Sequence, residues 1–142
     1  MNIAIDTNII VYSLSGVERT AAAAAGALED AANKGGALVV SAPVYAELLA
    51  MPGSSRTVLD AFFAEARVRV DWEIDEASWI SAGDAFAAYA RRRKRQRIAL
   101  PRRILADFVI GAHSLSVGAL LTADAAFFRT SFPDLRVLSL SL

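Results

Sequence analysis

The chain has 142 residues, a length that predicts one domain spanning 1–142, and its 55 % hydrophobic against 21 % charged composition excludes intrinsic disorder. It has no cysteine and one histidine, which excludes a disulfide scaffold, a thiol nucleophile, an iron–sulfur cluster and a cysteine zinc site, and leaves oxygen as the main ligand type for any metal. The formal net charge of zero hides a segregation: residues 1–84 carry 5 basic and 12 acidic side chains, residues 85–106 carry 8 basic and no acidic ones, and residues 107–142 carry 2 and 3, so a local basic segment keeps nucleic acid open as a partner.

In chain order, Asn2–Ile5 is an apolar run that predicts a buried strand. Asp6-Thr7-Asn8 follows with three helix-capping residue types, and Ile9–Leu14 reads as a short helix. Val17–Asn33 is an alanine-rich helix closed by Gly35-Gly36. Ala37–Val40 is a second buried strand. Ser41-Ala42-Pro43 opens a helix carrying Val44, Glu47, Leu48 and Met51, with Pro43 where its missing N–H costs nothing. Residues 52–55 form a turn and Arg56–Arg67 a further helix. Val68–Trp72 alternates charged and apolar residues, which suits a strand nearer the sheet edge.

Asp75 starts a long helix that runs through Trp79, Phe86 and Tyr89 into an arginine run. Pro101 breaks it. Ile104–Val117 is helical and ends at Gly118. Ala119–Thr122 is the fourth strand, Ala125–Arg129 a short helix after Asp124, and Arg136–Leu140 the last strand beyond a turn at Phe132-Pro133-Asp134. Strands alternating with helices imply an α/β fold with a central parallel sheet and helices on both faces. Ligands in such sheets bind outside the carboxyl ends of the strands, where Asp6 and Asp124 fall. The N-terminus lacks a basic segment, Asp6 interrupts the first apolar run, and Phe108–Ala123 is short for a membrane span, so a cytoplasmic protein with no membrane association is expected.

Motifs for dinucleotide and P-loop phosphate binding are absent, as is a serine-hydrolase elbow. His113 lies six positions after Asp107 and well round the helix from it, which suits a packed histidine better than a base. The carboxylates carry the information. Asp6 alone reads equally well as an N-cap and as a functional group. Glu47 sits in an apolar helix with no other charge between Lys34 and Arg56, although a solvent-facing helix side explains it as well. Asp107 lies within an apolar helix, where a carboxylate needs a partner, a cap or a metal, and a first-turn position favoured by the helix dipole is the alternative. Asp124 has the same cap alternative. Asp84, on the long helix, reads better as a solvated position than as part of a site.

Taken together these residues resemble a family. Asp6-Thr7-Asn8 after the first strand looks like the D-[TS]-N opening of PIN domains. Glu47 in Tyr45-Ala46-Glu47-Leu48 looks like their helix-borne glutamate. Residues Asp107 to His113 look like the D-x-x-I-x-A-x helix, and Leu120 to Phe127 like the L-[LV]-T-x-D-x-x-F motif. The order and spacing match over essentially the whole chain, and the chain is most similar to the VapC toxins of type II toxin–antitoxin pairs. One departure is Ala123, where these toxins often carry arginine.

The resemblance implies a three-layer α/β/α sandwich, an acidic pocket at the carboxyl edge of the sheet, and a Mg²⁺- or Mn²⁺-dependent endoribonuclease. It assigns catalytic roles to Asp6, Glu47, Asp107 and Asp124. Of these, Asp6 and Asp107 would ligate metal directly, Asp124 directly or through water, and Glu47 would be a ligand through water or orient the nucleophile. Hard divalent cations prefer such oxygen ligands. Thr7, Asn8 and Thr122 could support the carboxylates or the attacking water, or serve as ordinary caps. The resemblance also implies a homodimer and a cognate VapB-type antitoxin, for which Val44–Met51 and Arg56–Ala66, with Phe62 and Phe63, offer contact surfaces if the rings are not core.

The basic segment comprises Arg91, Arg92, Arg93, Lys94, Arg95, Arg97, Arg102 and Arg103. Because it leads into the helix bearing Asp107, RNA contact is favoured over a merely solvated face. With no aromatic residue interleaved in the run, base stacking is not expected. Alternatives are an RNA-processing PIN nuclease without an antitoxin, a non-catalytic PIN-like binding module, and a phosphotransfer domain. The last fits worst, because position 8 is Asn and neither lysine is suitably placed.

Overall fold

A computed structural model describes residues 1–96 and 102–140, with the side chain of Gln96 also outside the description. The five predicted strands are all present: β1 (Ile3–Ile5), β2 (Leu38–Ser41), β3 (Val68–Asp71), β4 (Ala119–Thr122) and β5 (Arg136–Ser139). They form one all-parallel sheet in the order β3-β2-β1-β4-β5. Among the described residues seven helices flank it: α1 (Thr7–Ser13), α2 (Glu18–Ala32), α3 (Ala42–Leu49), α4 (Arg56–Ala66), α5 (Glu76–Gln96), α6 (Leu105–Val117) and α7 (Ala125–Ser131). The result is the three-layer α/β/α arrangement expected from the alternation of strands and helices.

The strand order follows from burial. β1, β2 and β4 are buried at every position, as continuous apolar runs covered on both faces must be. The alternating β3 sits at one edge, as expected, and β5 at the other. Ile3 pairs with both Leu38 and Ala119, and Ile5 with Leu121. The chain winds outward from β1 through β2 to β3, then crosses to the other side of β1 for β4 and β5. The reversal lies between β1 and β4, which is where a crevice opens at the carboxyl edge of such a sheet.

Local chemistry sets the helix boundaries. The first helix begins at Thr7, two residues before the expected Ile9, because Asp6 stays extended and its side chain accepts a hydrogen bond from the Thr7 N–H. Ser55 caps α4 through Val58 N–H, and Asp75 caps α5 through Ser78 N–H at 2.8 Å. The basic residues 91–95 continue α5 in helical form. Arg97 and Pro101, with the expected break at the proline, lie outside the described residues.

The core runs through Ile3, Ile5, Val40, Leu48, Leu120 and Phe108, all essentially without exposure. Each such side chain contributes about 1.5–3 kcal/mol by leaving water. Phe63 belongs to this core and is not available as a contact surface, while Phe62 is partly buried against it. Helix α6 is buried over seven consecutive residues, Phe108 to Ser114, because it packs against both the sheet and α5. His113 is buried within it, with its Nε2 2.8 Å from Asp71 Oδ2 at the end of β3. Asp71 holds the imidazole in a packed role, and the hydrogen bond with His113 draws the Asp71 carboxyl below its ordinary range.

Close packing also explains one glycine. A Cβ at Gly111 would overlap the Phe132 ring, itself buried. Gly111→Ala gains helix propensity but forces the ring to move, so a net loss of about 1–2 kcal/mol is expected. Urea denaturation checks this, and the loss should shrink when Gly111→Ala is introduced into a Phe132→Leu background.

Candidate active site

Asp6 ends β1 and starts α1 at the reversal point, beside the end of β4. Its main-chain N–H donates to Leu121 O, completing the pairing of the two strands. The residue is 7 % exposed. Asp6 Oδ1 accepts from Thr7 N–H at 2.8 Å, and Oδ2 accepts from the Thr122 hydroxyl at 2.7 Å and from Asn8 Nδ2 at 3.2 Å. The cap weighed for Asp6 is therefore present, and the same carboxylate also joins the end of β1 to the end of β4.

The surrounding polar groups form one connected network. The Thr7 hydroxyl donates to Glu47 Oε1 at 2.7 Å, tying α1 to α3. Asn8 Oδ1 accepts from Ala123 N–H at 3.1 Å. Thr122 Oγ1, while donating to Asp6, accepts from Asp124 N–H at 2.9 Å. Thr7, Asn8 and Thr122 thus orient carboxylates and the β4–α7 turn as well as serving local structure. Asp107, at the third position of α6, accepts from Ile104 N–H at 3.1 Å, which is the first-turn role considered for it. It also lies near enough for its charge to act on Asp6, as does that of Glu47.

Burial raises the Asp6 carboxyl from 3.8 to about 6, opposed by the hydrogen bonds from Thr122 and Thr7 and reinforced by the negative charges of Asp107 and Glu47. The donors around Asp6 are neutral. The positive charge nearby goes instead to Asp124, whose Oδ2 lies 2.6 Å from Arg103 Nη1. The same guanidinium lies over the Phe127 ring, 4.2 Å from its centroid. This pairing had no signal in the sequence beyond the general expectation that the basic segment lies near the site.

Among the described residues, no three histidine, aspartate or glutamate side chains converge closely enough to share one ion. Each predicted ligand has a present partner: Asp107 the start of its own helix, Asp124 the Arg103 guanidinium, Glu47 the Thr7 hydroxyl. The donor set is nevertheless entirely oxygen, around a buried carboxylate faced by two like charges. That chemistry fits Mg²⁺, which takes one or two carboxylates and keeps several waters. Asp84 is exposed and lines a separate groove with Glu76, Ile80, Leu115 and Pro133, outside this network.

A parallel α/β/α sandwich with Asp6 buried at the reversal point, under the charges of Glu47 and Asp107, defines the protein as an α/β domain with an acidic crevice at its sheet edge. Comparison with known proteins sharpens this. The PIN domain family model matches residues 3–133, so the chain belongs to the PIN domain family, whose members are generally nucleases. No curated protein matches it. Among solved structures it is similar to VapBC2 from Rickettsia felis bound to a promoter DNA fragment, with 20 % identity, TM-score 0.66, and coverage of 99 % of this chain and 100 % of that one. VapBC-1 from nontypeable Haemophilus influenzae gives 22 %, 0.63, and 98 % of each chain. FitAcB from Neisseria gonorrhoeae gives 23 %, 0.51, and 96 % of each.

The raised Asp6 carboxyl has a consequence for stability. The folded chain holds this proton more tightly than the unfolded chain, so the associated stability is full below about pH 3.8 and is lost as pH rises through about 6. In EDTA, Asp6→Asn is expected to resist urea better than the wild type above pH 6, by at most about 2–3 kcal/mol. The gap should close toward pH 4; an equal gap at pH 4 and pH 8 contradicts burial as its cause.

Proposed function

We propose that this PIN domain is a Mg²⁺- or Mn²⁺-dependent endoribonuclease that acts as the toxin of a type II toxin–antitoxin pair. The observation that carries the reading is the buried Asp6 carboxylate, held by neutral donors and opposed by the charges of Glu47 and Asp107. A site that concentrates negative charge without a cation destabilises itself, and a divalent ion removes the conflict. Asp6, Asp107 and Asp124 are the residues that would hold it. When bound, the ion supplies positive charge to the scissile phosphate and acidifies the attacking water.

The chain's own residues do the rest. Thr122 accepts the Asp124 N–H and so directs its proton to Asp6, keeping that carboxylate's lone pairs oriented. Thr7 holds Glu47 toward the site, where it can orient water. Arg103 exchanges its contact with Asp124 for a phosphate oxygen of the RNA, which suits guanidinium geometry. In-line attack on phosphorus leaves 5′-phosphate and 3′-hydroxyl ends. Arg91, Arg92, Arg93, Lys94, Arg95, Arg97 and Arg102 supply the field that attracts the RNA backbone.

The toxin assignment and a cognate VapB-type antitoxin are supported by the similarity to the VapBC complexes, and a homodimer is proposed from the sequence resemblance to VapC toxins. No described helix is long and apolar enough to cross a membrane, and action on cytoplasmic RNA suits this reading.

Cleavage of a defined RNA pool tests the chemistry. The wild type should cut with Mg²⁺ or Mn²⁺ and stop in EDTA, and Asp6→Asn and Asp107→Asn should each lose at least roughly 100-fold in rate. Unchanged cutting in both variants rejects the mechanism. Replacing Arg91–Arg95 with glutamine should weaken RNA binding and reduce the log–log salt slope by roughly 0.7 for each side chain that contacts a phosphate. Binding titrations at several salt concentrations measure this.

A further inference from the structure

A cleft of about 580 Å³ opens between α5 and residues 102–103, lined by Phe86, Tyr89, Arg93, Lys94, Arg102 and Arg103. Its volume falls in the range, about 300–1,000 Å³, of pockets that hold small molecules. The expectation that the basic segment offers no base stacking came from the absence of aromatic residues within the run. Folding changes that. Phe86, Tyr89 and Arg93 follow one another at spacings of three and four on α5, which brings them to one helix face. Two rings therefore meet four cations in one concavity.

The rings are fixed in place. Phe86 stacks on Phe108 at 4.9 Å and 17°, and Tyr89 packs on the same ring at 5.4 Å. The Tyr89 hydroxyl accepts from Arg103 N–H at 2.8 Å and from Arg93 Nη1 at 3.4 Å. Both rings remain partly exposed. Among the described residues, Arg93, Lys94 and Arg102 have no carboxylate within 4.0 Å, since the ion pairs found there involve Arg103 and His113. The cleft thus offers a rigid aromatic surface and uncompensated positive charge, a pairing that matches the π-face and the phosphates of a nucleotide. It is joined to the acidic site twice: Phe108 follows Asp107, and Arg103 reaches Asp124.

We propose that this cleft is a nucleotide subsite for single-stranded RNA, in which one base rests against Tyr89 and Phe86 while the flanking phosphates bind Arg93, Lys94 and Arg102. Arg103 then leads the adjoining phosphate to the carboxylates. The inference rests on the nuclease reading and adds to it a contact with the base, not only with the backbone.

The test uses the full chain in EDTA, titrated with a labelled RNA tetranucleotide and with its abasic counterpart of equal charge. The wild type should bind the base-bearing RNA at least about fivefold more tightly. Tyr89→Leu should abolish most of that preference and Tyr89→Phe should keep it. Arg102→Gln should weaken both probes equally. NMR of the wild type gives a second readout that needs no variant: at equal saturation, Tyr89 ring resonances should shift further with the base-bearing RNA than with the abasic one, whose phosphates reach the tyrosine only through Arg93. Equal affinity for the two probes, or an unmoved Tyr89 ring, overturns the subsite. If the wild type still cleaves RNA in Mg²⁺, the nuclease reading survives that result; if it neither binds nor cleaves RNA, both fall.

Discussion

A carboxylate buried between the first and fourth strands is the constraint around which this protein is arranged. Removing an ionised Asp from water is costly unless its oxygens are satisfied, and Asp6 is satisfied by Thr7, Asn8 and Thr122. Those bonds join a strand end, a helix start and a second strand more than a hundred residues away in sequence. Because the donors are neutral, they soften the burial cost without cancelling the charge. The field of Glu47 and Asp107 then bears on a group already raised by burial.

Much of this architecture is legible in the residues themselves. Parallel strands covered on both faces must be written as unbroken apolar runs, and Ile3–Ile5, Leu38–Val40 and Ala119–Leu121 are such runs. The alternating Val68–Asp71 points to the edge it occupies. The resemblance of Asp6, Glu47, Asp107 and Asp124, in order and spacing, to the PIN motifs also singles out the acidic candidates. Their actual partners are not legible, because they depend on side chains that meet across the fold. That Thr7 holds Glu47, that Arg103 reaches Asp124 and that His113 meets Asp71 leave no local periodicity to read. The start of α1 was misplaced for a related reason: a capping-type run of three residues does not say which of them caps.

Arg103 shows how a small set of groups serves several ends. Its main-chain N–H is taken by Tyr89, its guanidinium is shared between Asp124 and the face of Phe127, and its position precedes α6 by two residues. Position 123, directly before Asp124, is alanine, so a cation for this carboxylate arrives from a different stretch of chain. The tyrosine that anchors Arg103 belongs to the helix carrying the basic run, which links the charge-rich end of α5 to the acidic edge of the sheet.

The sheet order also governs when the site can exist. The strand at its centre is the first one made, and the neighbour that completes its crevice is made fourth. Pairings of such long sequence separation form slowly, after much of the loop entropy has been spent. During synthesis, Asp6 leaves the ribosome long before Thr122 and Asp124, so a nascent or prematurely terminated chain lacks the opposing wall of its acidic crevice. That wall, with the Thr122 hydroxyl that meets Asp6, is present only in chains translated through the fourth strand.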